Sequence, residues 1–203
     1  MKKKLMTGKW AAAVAAFGLA AGNAQAWTRT TSNSDQPYTV SGTDLLQGNV
    51  SSVDTNGLVL YFEGGVSGTL DFLTDGIVGS GNRENAFSIA SGSITYTLDT
   101  SKSPSGYIIT GLDTYSGWQD GGRNDQNYVV SFRNAGSGTF GNAITNAYAS
   151  GMKETRVSLT DLNLAGIDAV KFTFLAQENN GVGYKEFDLF GMAYAPASTI
   201  TGS

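Results

Sequence analysis

Glu186 and Asp188 are separated only by Phe187, and in a strand that spacing turns both carboxylates to one face. Paired carboxyl groups are the minimum equipment for hydrolysing a glycosidic bond. Here the next position on that face is Phe190, followed by Gly191, so no further carboxylate completes the set. The pairing of Glu63 with Glu178 has no supporting spacing. The chain holds no histidine and no cysteine, which excludes Ser-His-Asp and Cys-His nucleophiles and His-ligated zinc. With acid–base chemistry incomplete, the sequence predicts a protein that is not an enzyme.

The densest group of polar and aromatic residues is Tyr115 to Asn127. Tyr115, Trp118, Asp120, Arg123 and Asn124 are the side-chain types that hold a sugar: a ring against its C–H face, and charged or amide groups on its hydroxyls. The same residues have a purely architectural reading. Trp118 can cover the end of a sandwich, and Arg123 can brace the loop against Asp113, Asp120 or Asp125. Asn and Gly are what tight turns use in any case. A second polar loop, Gln177 to Tyr184, can lie at the same end and bring Asn179 or Tyr184 alongside.

The elements that must position these groups read as short strands. Leu58–Phe62 is an apolar run between Asn56-Gly57 and Gly64-Gly65, and Gly68–Leu73 reads as its neighbour. Ile94, Tyr96 and Leu98 alternate with polar residues, as do Tyr128, Val130 and Phe132 with Val129, Ser131 and Arg133; a period of two marks half-buried antiparallel strands. Tyr107–Leu112, Arg156–Leu159, Val170–Phe174 and Phe187–Met192 complete the set. Ser41–Gly48 supports one helical turn, and Leu159–Ile167 has a weak helical period interrupted by Gly166. Eight or so short strands with 27 glycines and 3 prolines predict an all-β antiparallel sandwich.

The first residues read as a leader. Lys2, Lys3, Lys4 and Lys9 precede an apolar, Ala-rich run from Trp10 to Ala21, and Ala24-Gln25-Ala26 fits a small-x-small cleavage site. That run is too short to span a bilayer, which takes about 20 residues. The expected division is a signal peptide over 1–26, a loose lead-in over 27–40, a sandwich domain over 41–194 and a flexible tail over 195–203. Four of the 13 basic residues lie in the leader, leaving nine against 17 acidic ones, a net charge of −8. Such a surface excludes nucleic acid and anionic lipid as partners. The cysteine-free chain leaves stability to its core, alone or with a bound metal.

Three segments taken in order, Leu73-Thr74-Asp75-Gly76, Tyr107 to Tyr115 leading into Gly117-Trp118, and Tyr184 to Gly191, resemble the galactose-binding-like jelly rolls. These include discoidin (F5/8 type C) domains and related carbohydrate-binding modules. The likeness runs from about Val59 to Tyr194. It is closer still to exported bacterial proteins of this type that carry a C-terminal sorting anchor (PEP-CTERM), although this sequence ends TITGS, without that anchor, and lacks the disulfide common in discoidin domains. The resemblance implies a structural calcium ion shared by the Asp-Gly loop and a Glu before the last strand, here Asp75 and Glu186. Oxygen-rich loops with few carboxylates suit Ca²⁺; otherwise Asp75 caps a turn and Glu186 pairs with Lys185 or Arg83. Glu186-Phe187-Asp188 also resembles the start of the acid triplet of retaining β-glucanases, without its second Glu.

The expected function is therefore a secreted, non-catalytic sandwich that binds carbohydrate or a glycan-bearing extracellular surface. The alternatives are an assembling matrix or surface protein with no small ligand and, on the incomplete triplet, a carboxylate-dependent glycan-cleaving enzyme.

Overall fold

The computed structural model describes residues 26–60, 69–79, 87–149, 151–175 and 178–196. The expected leader, apart from Ala26, lies outside them, as do Glu63, Arg83 and the end of the tail. Eight antiparallel strands follow one another: β1 (Thr28–Ser34), β2 (Val50–Leu60), β3 (Phe87–Leu98), β4 (Tyr107–Gly117), β5 (Gln126–Asn134), β6 (Phe140–Tyr148), β7 (Glu154–Phe174) and β8 (Val182–Ala193). Among the described residues no helix is long and apolar enough to cross a membrane.

The strands form one hydrogen-bonded network that folds over on itself. The hinge is β7, a strand of 21 residues. Its first part, Glu154 to Thr160, lies between β1 and β4, while Ile167 to Phe174 runs between β5 and β3. Asp161, Asn163 and Gly166 take positive φ in between, which bends the strand out of one layer and into the other. One layer is thus β1–β7–β4–β8 and the other β2–β3–β7–β5–β6.

Alternation fills the space between the layers. Val157, Leu159, Val170, Phe172 and Phe174 of β7 meet Leu112 of β4, Tyr128 and Val130 of β5, and Phe187 and Leu189 of β8 in one buried cluster. The Phe172 and Phe187 rings stack across it with centroids 4.5 Å apart. Burial of this order, at roughly 25 cal/mol per Å² of apolar surface, provides the stability that no disulfide supplies.

Several expectations are corrected. Residues 27–40 are not a loose lead-in throughout, because Thr28–Ser34 is a full strand in register with Glu154–Thr160. Gly68–Leu73 holds no strand among its described residues; Leu70–Leu73 is a 3-10 turn with Leu73 buried. Ser41–Gly48 makes bends and a turn rather than a helical turn, and Leu45 and Leu46 anchor it in the core. Arg156–Leu159 and Val170–Phe174 are the two ends of a single strand, with the supposed helical stretch as its bend.

Candidate functional site

The outer face of the β1–β7–β4–β8 layer is polar. Residues of β8 alternate, so that while Phe187 and Leu189 enter the core, Glu186 and Asp188 point away from it. Register places Glu186 opposite Tyr115 and Asp188 opposite Asp113 on β4. The segment from Ser41 to Gln47 closes over this face, held by the Leu45 N–H donating to the Leu189 carbonyl at 2.8 Å.

That cover brings in Asp44. One carboxylate oxygen from each of Asp44, Glu186 and Asp188 lies within 4.8 Å of the others, and all three residues are buried. Each carboxylate is half satisfied by backbone. Asp44 Oδ1 accepts the N–H groups of Leu46 and Leu189 at 2.7 and 3.2 Å. Asp188 Oδ2 accepts that of Ser41 at 2.9 Å, and Glu186 Oε1 that of Gly76 at 3.2 Å. The second oxygens, Asp44 Oδ2, Glu186 Oε2 and Asp188 Oδ1, are buried with no hydrogen-bond donor, and so is Gln47 Oε1.

Burial together with mutual repulsion disfavours the charged form of all three carboxylates. Burial pushes Glu186 up to about 9; the Gly76 N–H opposes this, and Asp188, Asp75 and Asp44 add to it. Burial likewise raises Asp188 to about 7, against the Ser41 N–H and with Asp44 and Asp113 adding to it. Asp44 is raised by burial against its backbone hydrogen bonds. Such a cluster either holds protons or holds a hard cation.

The sequence paired Glu186 with Asp75. The loops do meet, since Gly76 donates to Glu186, but the Asp75 carboxylate is turned to its own loop and accepts the Ile77 N–H at 2.9 Å. Its carbonyl accepts Gln47 Nε2 at 2.7 Å. The carboxylates grouped with Glu186 within 4.8 Å are Asp44 and Asp188, while Asp75 is near enough to add to its shift. Lys185, the alternative partner of Glu186, instead donates to Glu154 at 3.1 Å in a fully buried ion pair.

The loop residues are also rearranged. Tyr115 belongs to the outer face of β4, where its hydroxyl donates to Asp113 at 3.3 Å and its ring meets Tyr38 at 5.8 Å. Arg156 donates to the same Asp113 oxygen at 2.6 Å. Trp118 is 2% exposed and Arg123, stacked over it, 5%. Arg123 donates from Nη1 to the Asn179 carbonyl, and Asn179 Nδ2 donates to the Gly122 carbonyl at 2.8 Å. Asn124 is buried, and its carbonyl accepts the hydroxyls of Ser116 and Thr155 at 2.7 and 2.8 Å. Of the five residues expected to hold a sugar, only Asp120 stands at the surface. The described part of the second polar loop shares this end, through Asn179.

No family profile matches the sequence, and no curated protein matches it. Solved structures do. One is the structure of the CBM32-1, CBM32-2 and M60 catalytic domains of Clostridium perfringens ZmpB, 16% identical over 82% of this chain at a TM-score of 0.51; this chain spans 17% of that one. Another is the F5/8 type C domain of a Bacteroides fragilis protein, 14% identical over 61% of this chain and 81% of the other, at a TM-score of 0.39. The chain has the galactose-binding-like jelly-roll fold.

Proposed function

We propose that the chain is an exported, non-catalytic module that binds carbohydrate and carries calcium as a structural ion. The observation behind the first part is the fold likeness covering 82% of the chain to a structure named for two CBM32 domains, CBM standing for carbohydrate-binding module. That structure also contains an M60 catalytic domain. Against catalysis here, Glu186 and Asp188 are fully buried beneath the Ser41–Gln47 cover, whereas glycoside hydrolysis needs two carboxyls reaching the bond from opposite sides. Export rests on the Lys-fronted, Ala-rich leader ending at Ala26.

Calcium fits the carboxylate cluster. Ca²⁺ takes six to eight oxygens, and Asp44, Glu186 and Asp188, grouped within 4.8 Å, each present an oxygen without a donor. The ion would supply positive charge that keeps the carboxylates ionised. Asp44, on the cover, and Glu186 and Asp188, on β8, would then be fastened together without a disulfide.

Glycan-array binding by the purified protein tests the main reading. Binding to any extracellular glycan supports it. No binding, with sedimentation showing growth in size at rising concentration, would replace it with the assembling-protein reading. One exposed edge available for such assembly is β2, whose pairing with β3 is broken by three register shifts; bulged edges are poor templates for another strand.

A further inference from the structure

The two layers are laced together along one open side. Arg29 of β1 donates to the Ala147 carbonyl of β6 at 2.9 Å, and Asn33 donates to the Tyr148 hydroxyl at 3.1 Å. Towards the start of both strands the lacing ends. There a cavity of about 180 Å³ opens between Trp27, Asn142, Ala143, Ile144, Leu162 and Leu164. Ile144 and Leu162, both buried, belong to the core cluster, so the cavity ends on the core itself. Trp27 stands beside it with 39% of its surface exposed, one of the few large apolar residues left in solvent. Asn142, held at φ 49°, is exposed on the opposite strand.

We infer that this cavity is a subsite for one neutral pyranose ring, a proposal that rests on the carbohydrate reading above. Three features select that ligand. An exposed indole beside an apolar recess offers area to the C–H face of a sugar, and the Asn142 amide offers both a donor and an acceptor to its hydroxyls. The volume lies below the roughly 300–1,000 Å³ of pockets for drug-sized ligands, which suits a ligand about the size of one ring. Among the described residues no charged side chain lines the cavity. The Trp118 loop, by contrast, has its indole sealed beneath Arg123.

The test uses the full purified protein and methyl glycosides of neutral hexoses. Binding is followed by the tryptophan indole N–H resonances and by calorimetry. The expected result is that a neutral glycoside moves the Trp27 resonance and leaves that of Trp118 in place. Trp27→Ala and Asn142→Ala should each weaken binding tenfold or more, and Asp120→Ala should not. Trp27 is partly exposed and Asn142 lies on an edge strand, so unchanged melting temperatures will show that both variants fold. Glycan binding that survives both substitutions, whether or not Asp120→Ala abolishes it, overturns this subsite and leaves the carbohydrate reading standing. Failure of the glycosides and of every array glycan to bind overturns both.

Discussion

The guanidinium of Arg123 stands 5.3 Å from the centre of the Trp118 ring, and the Gly183 N–H donates to the Arg123 carbonyl at 2.7 Å. The two loop residues best suited by type to hold a ligand thus hold each other and tie the β4–β5 loop to β8. Trp118→Ala should act as a core truncation, costing about 3–5 kcal/mol. At about 2–4 °C per kcal/mol for a domain of this size, melting should fall by roughly 10 °C. Asp120→Ala, at the exposed tip, should leave the melting temperature unchanged. Thermal denaturation followed by circular dichroism checks both.

Gly183 makes the same packing testable from below. A Cβ there would meet the Gly117 carbonyl at 2.6 Å and the Trp118 ring at 2.8 Å. Gly183→Ala should lift the indole from its seat. A red-shifted tryptophan emission, together with a lowered melting temperature, is the expected result.

Calcium should stabilise the folded chain. An ion at a hundred times its dissociation constant adds about 2.7 kcal/mol, or roughly 5–10 °C of melting temperature. Chelation should remove that increment. Glu186→Gln and Asp188→Asn should abolish the calcium response, whereas Asp75→Asn, which changes a carboxylate turned to its own loop, should keep it. Calorimetric scans with and without calcium decide between the two ligand sets.

Without calcium the same carboxylates make stability fall as pH rises. Glu186 and Asp188 have ordinary values of 4.5 and 3.8 and are raised in the fold to about 9 and about 7. Below about pH 4 both states hold these protons and there is no cost. Between about pH 5 and 9 the unfolded chain releases them while the fold retains them or strains to release them, so the native state loses ground. Urea midpoints in chelator should decline across that window, and Glu186→Gln should flatten the decline. Saturating calcium should weaken or reverse it, because metal binding displaces protons.

Lys185 and Glu154 form a buried ion pair at 3.1 Å, with both side chains essentially inaccessible. Burial raises Glu154 to about 7, with the Lys185 charge opposing the shift. Lys185→Met alone should cost about 3 kcal/mol, because it leaves an acid buried without its cation. Adding Glu154→Gln should recover part of that loss. Chemical denaturation of the two variants gives the comparison.

What was legible in the sequence was the part built by alternation. Ile94, Tyr96 and Leu98, and Tyr128, Val130 and Phe132, face the core one by one, so a period of two announces them. β1 carries no such signal: Thr28–Ser34 is polar on both faces and exists because β7 offers it an edge. β6 buries little beyond Ile144 and Asn146 and is hidden for the same reason. The bend of β7 reads as a break because Asp161, Asn163 and Gly166 are turn formers, although here they turn a strand without ending it. The carboxylate cluster was half visible. Glu186 and Asp188 announce a shared face, but Asp44 joins them through its own bond from the Leu189 N–H and the adjacent Leu45–Leu189 hydrogen bond, tertiary contacts that no local pattern encodes. Trp118 and Arg123 have the right types, and only packing decides that they face inward.

Because β7 hydrogen-bonds within one layer along its first third and within the other along its last, neither layer has a complete set of neighbours on its own. The two halves therefore cannot melt in turn. Amide exchange should show Val157 and Phe172 opening with a common free energy, the mark of a single cooperative unit. With so many pairings distant in sequence, that unit should also assemble slowly, on the millisecond-to-second scale of β-sandwiches.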